Sequence, residues 1–179
     1  MKTKKVLITV GVIISVFLVL FIIKSKNVYE FISNEQIHEW TNINNIEILE
    51  MVEVTDEEKK YTILFYKQEN KIGNYMIYKN NKETIFNKQI ETNLNKEQPL
   101  QYISVTTGVP YISIYINDKS LLEKSAVIEA NIGDKTFTKS VKSTKPHYII
   151  ATENGIPNNN FDFSLTLYDK SNKVIYQNE

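Results

Sequence analysis

Tyr111-Ile112-Ser113-Ile114-Tyr115-Ile116 is the stretch from which the rest of the chain is best read. Isoleucine holds every even position and a hydroxyl-bearing side chain every odd one. Successive side chains of a strand point to opposite faces, so the pattern predicts a β-strand with an apolar face on a core and a hydroxyl face turned outward. Toward the C-terminus the same period recurs: Phe161, Phe163, Leu165 and Leu167 alternate with Asp162, Ser164, Thr166 and Tyr168. Gly133-Asp134 separates two further runs as a type II′ hairpin turn requires, and residues 169–173 form another turn.

Strands over 101–106, 110–117, 124–132, 135–142, 147–152, 161–169 and 173–177 predict a small antiparallel sandwich across residues 99–179. Its layering is expected to be immunoglobulin-like, without the disulfide and buried-Trp hallmarks of that fold. N-terminal to it, residues 46–54, 61–66, 75–78 and 84–86 read as an antiparallel sheet, with 71–74 between two of them. The run 61–66 is apolar on both faces and is expected to be a central strand. The polar stretch 92–99 reads as a linker, dividing the body into a membrane-proximal β subdomain (46–98) and a distal β-sandwich (99–179).

The N-terminus sets the expected location. Residues 6–23 are apolar except for Thr9, Gly11 and Ser15, with lysines on both flanks and no acid before residue 27. At 1.5 Å per residue the run spans about 27 Å, close to the roughly 30 Å hydrocarbon core, and flanking lysines can snorkel across the deficit. A buried core helix would need a polar face that this run lacks. A cleaved secretory signal is the alternative, although the run is long for one and no small-x-small site follows it. The lysine bias predicts a cytoplasmic stub (1–5), a transmembrane helix (6–23) that is a single-pass signal-anchor in the cell membrane, and an extracytoplasmic body. Residues 24–45 read as a juxtamembrane helix or stalk. In it Trp40 serves either as an interfacial anchor or, the preferred reading, as part of the following core.

Charge narrows the function. The 179 residues hold 21 basic and 21 acidic side chains, every basic one a lysine. That zero sum divides unevenly: residues 1–26 carry +5, 27–98 carry −5 and 99–179 are neutral. An acidic exported body without arginine disfavours nucleic-acid binding. Absence of cysteine excludes disulfides and thiol nucleophiles, and no glycine motif for phosphate is present, so no cofactor is expected. Lysine, asparagine, isoleucine and tyrosine abundance matches an AT-rich bacterial genome.

Candidate chemistry is sparse. Glu35, His38 and Glu39 share a helical face but lack the spacing of a zinc motif, and a solvated face is the simpler reading. Neither histidine sits in a hydrolase motif. Glu57 with Glu58, or Glu153 with Asp162, form the carboxylate pairs that an envelope hydrolase would require. Residues 155–160 read as a recognition loop or a solvated connection. What remains is tyrosine interleaved with small hydroxyls: Tyr111, Ser113, Tyr115 and Tyr168 are the candidate interaction surface, although cross-strand pairing or burial under the other half is the preferred reading of these side chains. The expected function is therefore a non-catalytic interaction or accessory module of the cell envelope. Its expected partners are the bilayer, through residues 6–23, and another envelope or membrane protein. The alternatives are an envelope hydrolase using a carboxylate pair and a structural spacer.

Overall fold

The computed structural model describes residues 29–57, 59–80, 83–106, 109–133, 135–152 and 163–178. The expected stub and span, Glu58, Glu153, Asp162 and the 155–160 loop lie outside these residues. No helix among the described residues is long and apolar enough to cross a membrane.

The protein is mainly β, with three antiparallel sheets. A first helix, α1 (Asn34–Ile43), begins where the Ser33 side chain accepts the Gln36 N–H at 3.3 Å. It buries Ile37 and Thr41, one turn apart, against the outer face of the first sheet. Trp40 stacks on Phe86 at 4.1 Å and meets Tyr75 edge-on at 4.9 Å, so it belongs to this core. Of the expected helix or stalk over 24–45, the described helical part is therefore 34–43. Tyr29–Glu30 pairs as a short strand (β1), and α1 packs on the body instead of standing free as a stalk.

Strands β2 (Glu47–Asp56), β3 (Lys59–Gln68), β4 (Lys71–Asn80) and β5 (Glu83–Asn93) form the first sheet. β3 is central, as its two apolar faces predict. β4 is longer than expected, because Gly73 and Asn74 lie within the strand and not in a turn. Gly73 is required there: a Cβ would stand 2.6 Å from the Tyr66 hydroxyl oxygen and 2.8 Å from the Ile90 carbonyl oxygen. β5 pairs with the whole length of β4 on one side, while β3 and then β1 share the other.

The second sheet has the order β10 (His147–Ala151), β7 (Tyr111–Ile116), β6 (Leu100–Val105). The third has the order β12 (Val174–Gln177), β11 (Phe163–Asp169), β8 (Ser125–Ile132), β9 (Lys135–Ser140). A helix that was not anticipated, α2 (Lys119–Lys124), bridges β7 and β8. Asp118 caps it, accepting the Leu121 N–H at 2.8 Å.

The sheets stack in three layers with the second in the middle. Ile112, Ile114 and Ile116 face the third sheet with Ile128, Ile132, Leu165 and Leu167. Tyr111, Ile103, Val105 and Ile149 face the first sheet with Leu49, Val54, Ile63, Phe65 and Ile72. Both faces of β7 are therefore dry, and the two expected halves share a core. The expected linker is part of that continuity: β5 runs to Asn93, and Leu94 is buried between the layers.

Candidate functional site

The residues expected to form one outward surface do not meet on one. Tyr111 and Ser113 are fully buried between the first and second sheets, which corrects the candidate outward surface and agrees with the preferred reading of burial under the other half. The Ser113 hydroxyl donates to Asn74 Oδ1 at 2.8 Å, so its polarity is satisfied inside the protein. Burial raises the Tyr111 hydroxyl well above the usual tyrosine range. Tyr115 is half-buried on the same face. Tyr168 lies on the opposite side of the molecule, on the outer face of the third sheet, where its hydroxyl donates to Glu129 at 3.3 Å. Glu35, His38 and Glu39 are exposed on α1, and among the described residues no group of three His, Asp or Glu side chains is placed to hold a metal ion.

The least exposed acids are occupied by lysines. Glu91 accepts from Tyr66 at 2.7 Å and pairs with Lys88 at 2.6 Å and Lys71 at 3.0 Å. The Lys88 ammonium, then the Tyr66 hydroxyl, hold its carboxyl down to about 2, against the cost of desolvation. Burial, reinforced by Glu91, raises Tyr66. Glu50 accepts from Lys139 at 2.8 Å and Lys145 at 3.1 Å. Beside it, burial first and Lys145 second lower His147, opposed by Glu50 and Glu47.

This second acid explains one edge of the middle sheet. The Ile116 N–H donates to Pro146 O at 2.7 Å and the Thr152 N–H to Pro110 O at 3.0 Å. An antiparallel ladder exchanges bonds at alternate residues, so the even residues of β7 bond β10 and the odd ones bond β6. On β10, Ile149 consequently turns its main chain away from β7. Its N–H is taken by Glu50 Oε2 at 3.0 Å and its carbonyl by Lys139 Nζ at 2.7 Å. Two charged side chains from the outer sheets plug this edge, a recognised protection against unwanted strand pairing.

The other edge is β6, and it is not plugged. Gln101, Ile103 and Val105 pair with the odd residues of β7, so Tyr102 and Ser104 turn their N–H and C=O groups outward. Among the described residues nothing bonds these groups. They form the floor of an open groove of about 790 Å³. One wall is β5, through Ile90 and Thr92, and the other is the end of β12, through Tyr176, Gln177 and Asn178. Of these side chains Ile90 is 40% and Tyr102 37% exposed, large for apolar groups in this molecule. Among the described residues no charged one lines the groove.

The groove is held rigid from behind. Gln101 donates to Asn93 O and accepts from Asn95 N–H, both at 2.9 Å, tying β6 to the end of β5. Asn74 is the register partner of Ile90, and Ser113 that of Ile103. The buried Ser113–Asn74 bond therefore sets the distance between wall and floor. On the far wall Asn178 bonds reciprocally with Leu165, its N–H donating at 3.1 Å. A second groove, of about 480 Å³, includes Tyr115 with Lys67, Lys96 and Lys119. Two of those lysines already face Glu47 and Glu123.

The residues of the β6 groove were not singled out in the sequence, where 101–106 reads as one strand among seven. One signal was present: Leu100-Gln-Tyr-Ile-Ser-Val105 contains no charge, unlike β2, β5 and β9. No protein-family model, no curated protein and no solved structure matches this chain.

Proposed function

We propose that the protein is a single-pass, membrane-anchored interaction module whose body lies outside the cytoplasm and whose binding face is the β6 groove. The observation that carries this reading is the β6 edge, unpaired among the described residues and lying at the base of a groove whose described lining is uncharged. Elsewhere the sheet edges carry charge, are plugged, or are only four residues long, as β12 is. Leaving one edge uncovered is a liability unless a partner covers it.

The anchor fits this geometry. From Ile23 to Tyr29 the chain can reach at most about 20 Å, so a span over 6–23 would tether the body close to the bilayer. The tether enters beside Lys79, whereas Ile90 and Thr92 pair with Asn74 and Ile72 near the other end of β4. The groove thus lies roughly 20 Å along the sheet from the point where the tether would enter. A partner there would be another envelope or membrane protein.

Strands β6–β12 also support an immunoglobulin-like reading. In chain order, the first, second and fifth of them form one sheet and the third, fourth, sixth and seventh the other. The constant-type immunoglobulin arrangement differs only in which sheet takes the fourth strand. Such sandwiches serve widely as recognition modules, an argument by analogy that adds to the groove without replacing it. The groove lining carries no carboxylate, and Glu50 and Glu91 are lysine-paired, so the interaction reading is preferred to hydrolysis.

Two measurements test it. The chain has no cysteine, so Thr138→Cys on exposed β9 should react with a membrane-impermeant maleimide on intact cells, and Thr3→Cys only after lysis. A photo-crosslinking amino acid at Tyr102 in the whole protein should yield a discrete protein adduct that the same group at Thr138 does not. Identical adducts at both positions, or none at Tyr102, refute the groove as the binding face.

A further inference from the structure

We infer that the β6 edge accepts an extended, uncharged polypeptide segment of a partner protein, which adds as a fourth strand to the middle sheet. This rests on the interaction-module reading above and names the chemistry of the partner.

The floor dictates backbone recognition. Tyr102 and Ser104 each offer an outward N–H and C=O at strand spacing, and the ligand that answers this repeat is another extended main chain. The layers point the same way. The middle sheet has three strands between outer sheets of five and four, and the groove lies where its next strand would run. β6 has six residues, about 20 Å of edge, so the segment would be of similar length.

The walls dictate side chains. Residues of an added strand would point alternately to the β5 wall, with Ile90 and Thr92, and to the opposite wall, with Tyr102 and Tyr176. Tyr102 is held against Phe163 with ring centroids 5.0 Å apart. Both walls offer apolar surface with hydroxyls and amides, and neither offers a counter-charge. A charged side chain buried here would lose its hydration without gaining a partner. The segment is therefore apolar and hydroxyl-bearing on both faces.

The same recess disfavours a second copy of this chain. β6 lies between β5 and β12, which line the groove on either side, so the edge strand of another folded sheet cannot approach without its own neighbouring strands meeting these walls. A terminal or linker segment can. The contrast within one sheet adds weight: the β10 edge is closed by Glu50 and Lys139, and among the described residues the β6 edge has no such guard.

The test uses the whole protein and, as probe, an acetylated and amidated heptapeptide of alternating threonine and valine. Saturable binding is expected, with slowed hydrogen exchange at the Tyr102 and Ser104 amides. Ser104→Pro removes an outward N–H while leaving the β6–β7 ladder intact, since proline is tolerated on the open side of an edge strand. It should weaken binding by about tenfold or more, whereas Ser104→Ala should bind within about twofold. If Ser104→Pro loses the native circular dichroism, Tyr102→Lys, which places a charge on the floor, is expected to give the same loss. A probe methylated on its central backbone nitrogens, or one with lysine in place of threonine, should not bind.

Absence of probe binding, equal binding of the methylated or lysine-bearing probe, or exchange protection away from β6 would each overturn the inference. So would self-association of the protein that Ser104→Pro abolishes, because the occupant would then be a second copy. A Tyr102 photo-adduct that persists in Ser104→Pro would overturn strand addition while sustaining the interaction module. Loss of that adduct at wild-type β6 overturns the module itself.

Discussion

Ser113→Ala isolates the bond that fixes the groove. Ser113 and Asn74 are both inaccessible to solvent, and their side chains meet at 2.8 Å between the first and second sheets. Alanine nearly conserves the volume of serine, so no sizeable cavity opens and the loss is polar. Asn74 Oδ1 would be stranded, and among the described residues Asn74 Nδ2 already has no partner. An orphaned buried amide oxygen costs about 1–3 kcal/mol. At about 2 kcal/mol, a chain of this size should lose roughly 4–8 °C in melting temperature. Asn74→Val in the same background removes the orphan and restores an apolar, strand-favouring side chain. The double variant should therefore be less destabilised than the sum of the two single ones by at least about 1 kcal/mol. The assay is thermal and urea unfolding of the four proteins of the cycle, followed by circular dichroism. Additive losses, or a Ser113→Ala melting temperature within about 1 °C of wild type, would refute the claim that this bond spans a dry interface. A stable Ser113→Ala protein with weakened peptide binding would instead place the role of the bond wholly in groove geometry.

Other perturbations act on separate parts of the structure. Glu50→Ala leaves Lys139 and the Ile149 N–H without their carboxylate. It should cost about 3 kcal/mol or more in urea unfolding and speed hydrogen exchange at Ile149. Glu91 in the folded state titrates near 2, below its ordinary 4.5, so its contribution is complete above about pH 5 and disappears as pH falls from 4.5 toward 2. Because Lys71 and Lys88 are half exposed, that contribution is about 1–2 kcal/mol, and Glu91→Gln should flatten the acid limb of a stability–pH curve by this amount. Gly73→Ala drives a methyl into Tyr66 and the Ile90 carbonyl, and should lower stability by about 1–3 kcal/mol while disordering the Tyr66–Glu91 bond.

Much of the β pattern was legible because it is local. The period of two located β7 and β11, and the doubly apolar run located β3 at the centre of its sheet. The errors have a common physical cause. Gly73-Asn74 has turn chemistry, yet each residue sits in mid-strand for a non-local reason. Glycine is there because the Tyr66 ring fills the space of a Cβ, and asparagine because Ser113 approaches from the next sheet. The hydroxyl face of β7 was ambiguous for the same reason. Alternation reports that one face is polar, but water and a buried amide 39 residues away satisfy a serine equally well. The groove was less legible still, since its floor is main chain, and unpaired main-chain groups leave no mark on side-chain patterning.

The guarded and unguarded edges belong to one sheet and one sequence, and this makes the β6 opening hard to dismiss as incidental. The chain meets the edge problem by several means: lysines and acids along β2, β5 and β9, a four-residue β12, and the Glu50–Lys139 plug on β10. The plug is costly, because it brings a carboxylate and an ammonium into a site where the carboxylate is only 8% exposed. A protein that accepts that desolvation at β10 has the means to close β6 more cheaply. A single lysine at position 102, already 37% exposed, would suffice. Instead that position carries a tyrosine, rigid and well suited to contact, packed against Phe163 above a groove without charge. Tyr102→Lys should therefore leave the isolated protein with equal or higher stability while removing its ability to bind an extended peptide. Such retention of stability with loss of binding is the behaviour of a binding edge, and a clearly destabilised lysine variant would mean that Tyr102 serves the fold and not a partner.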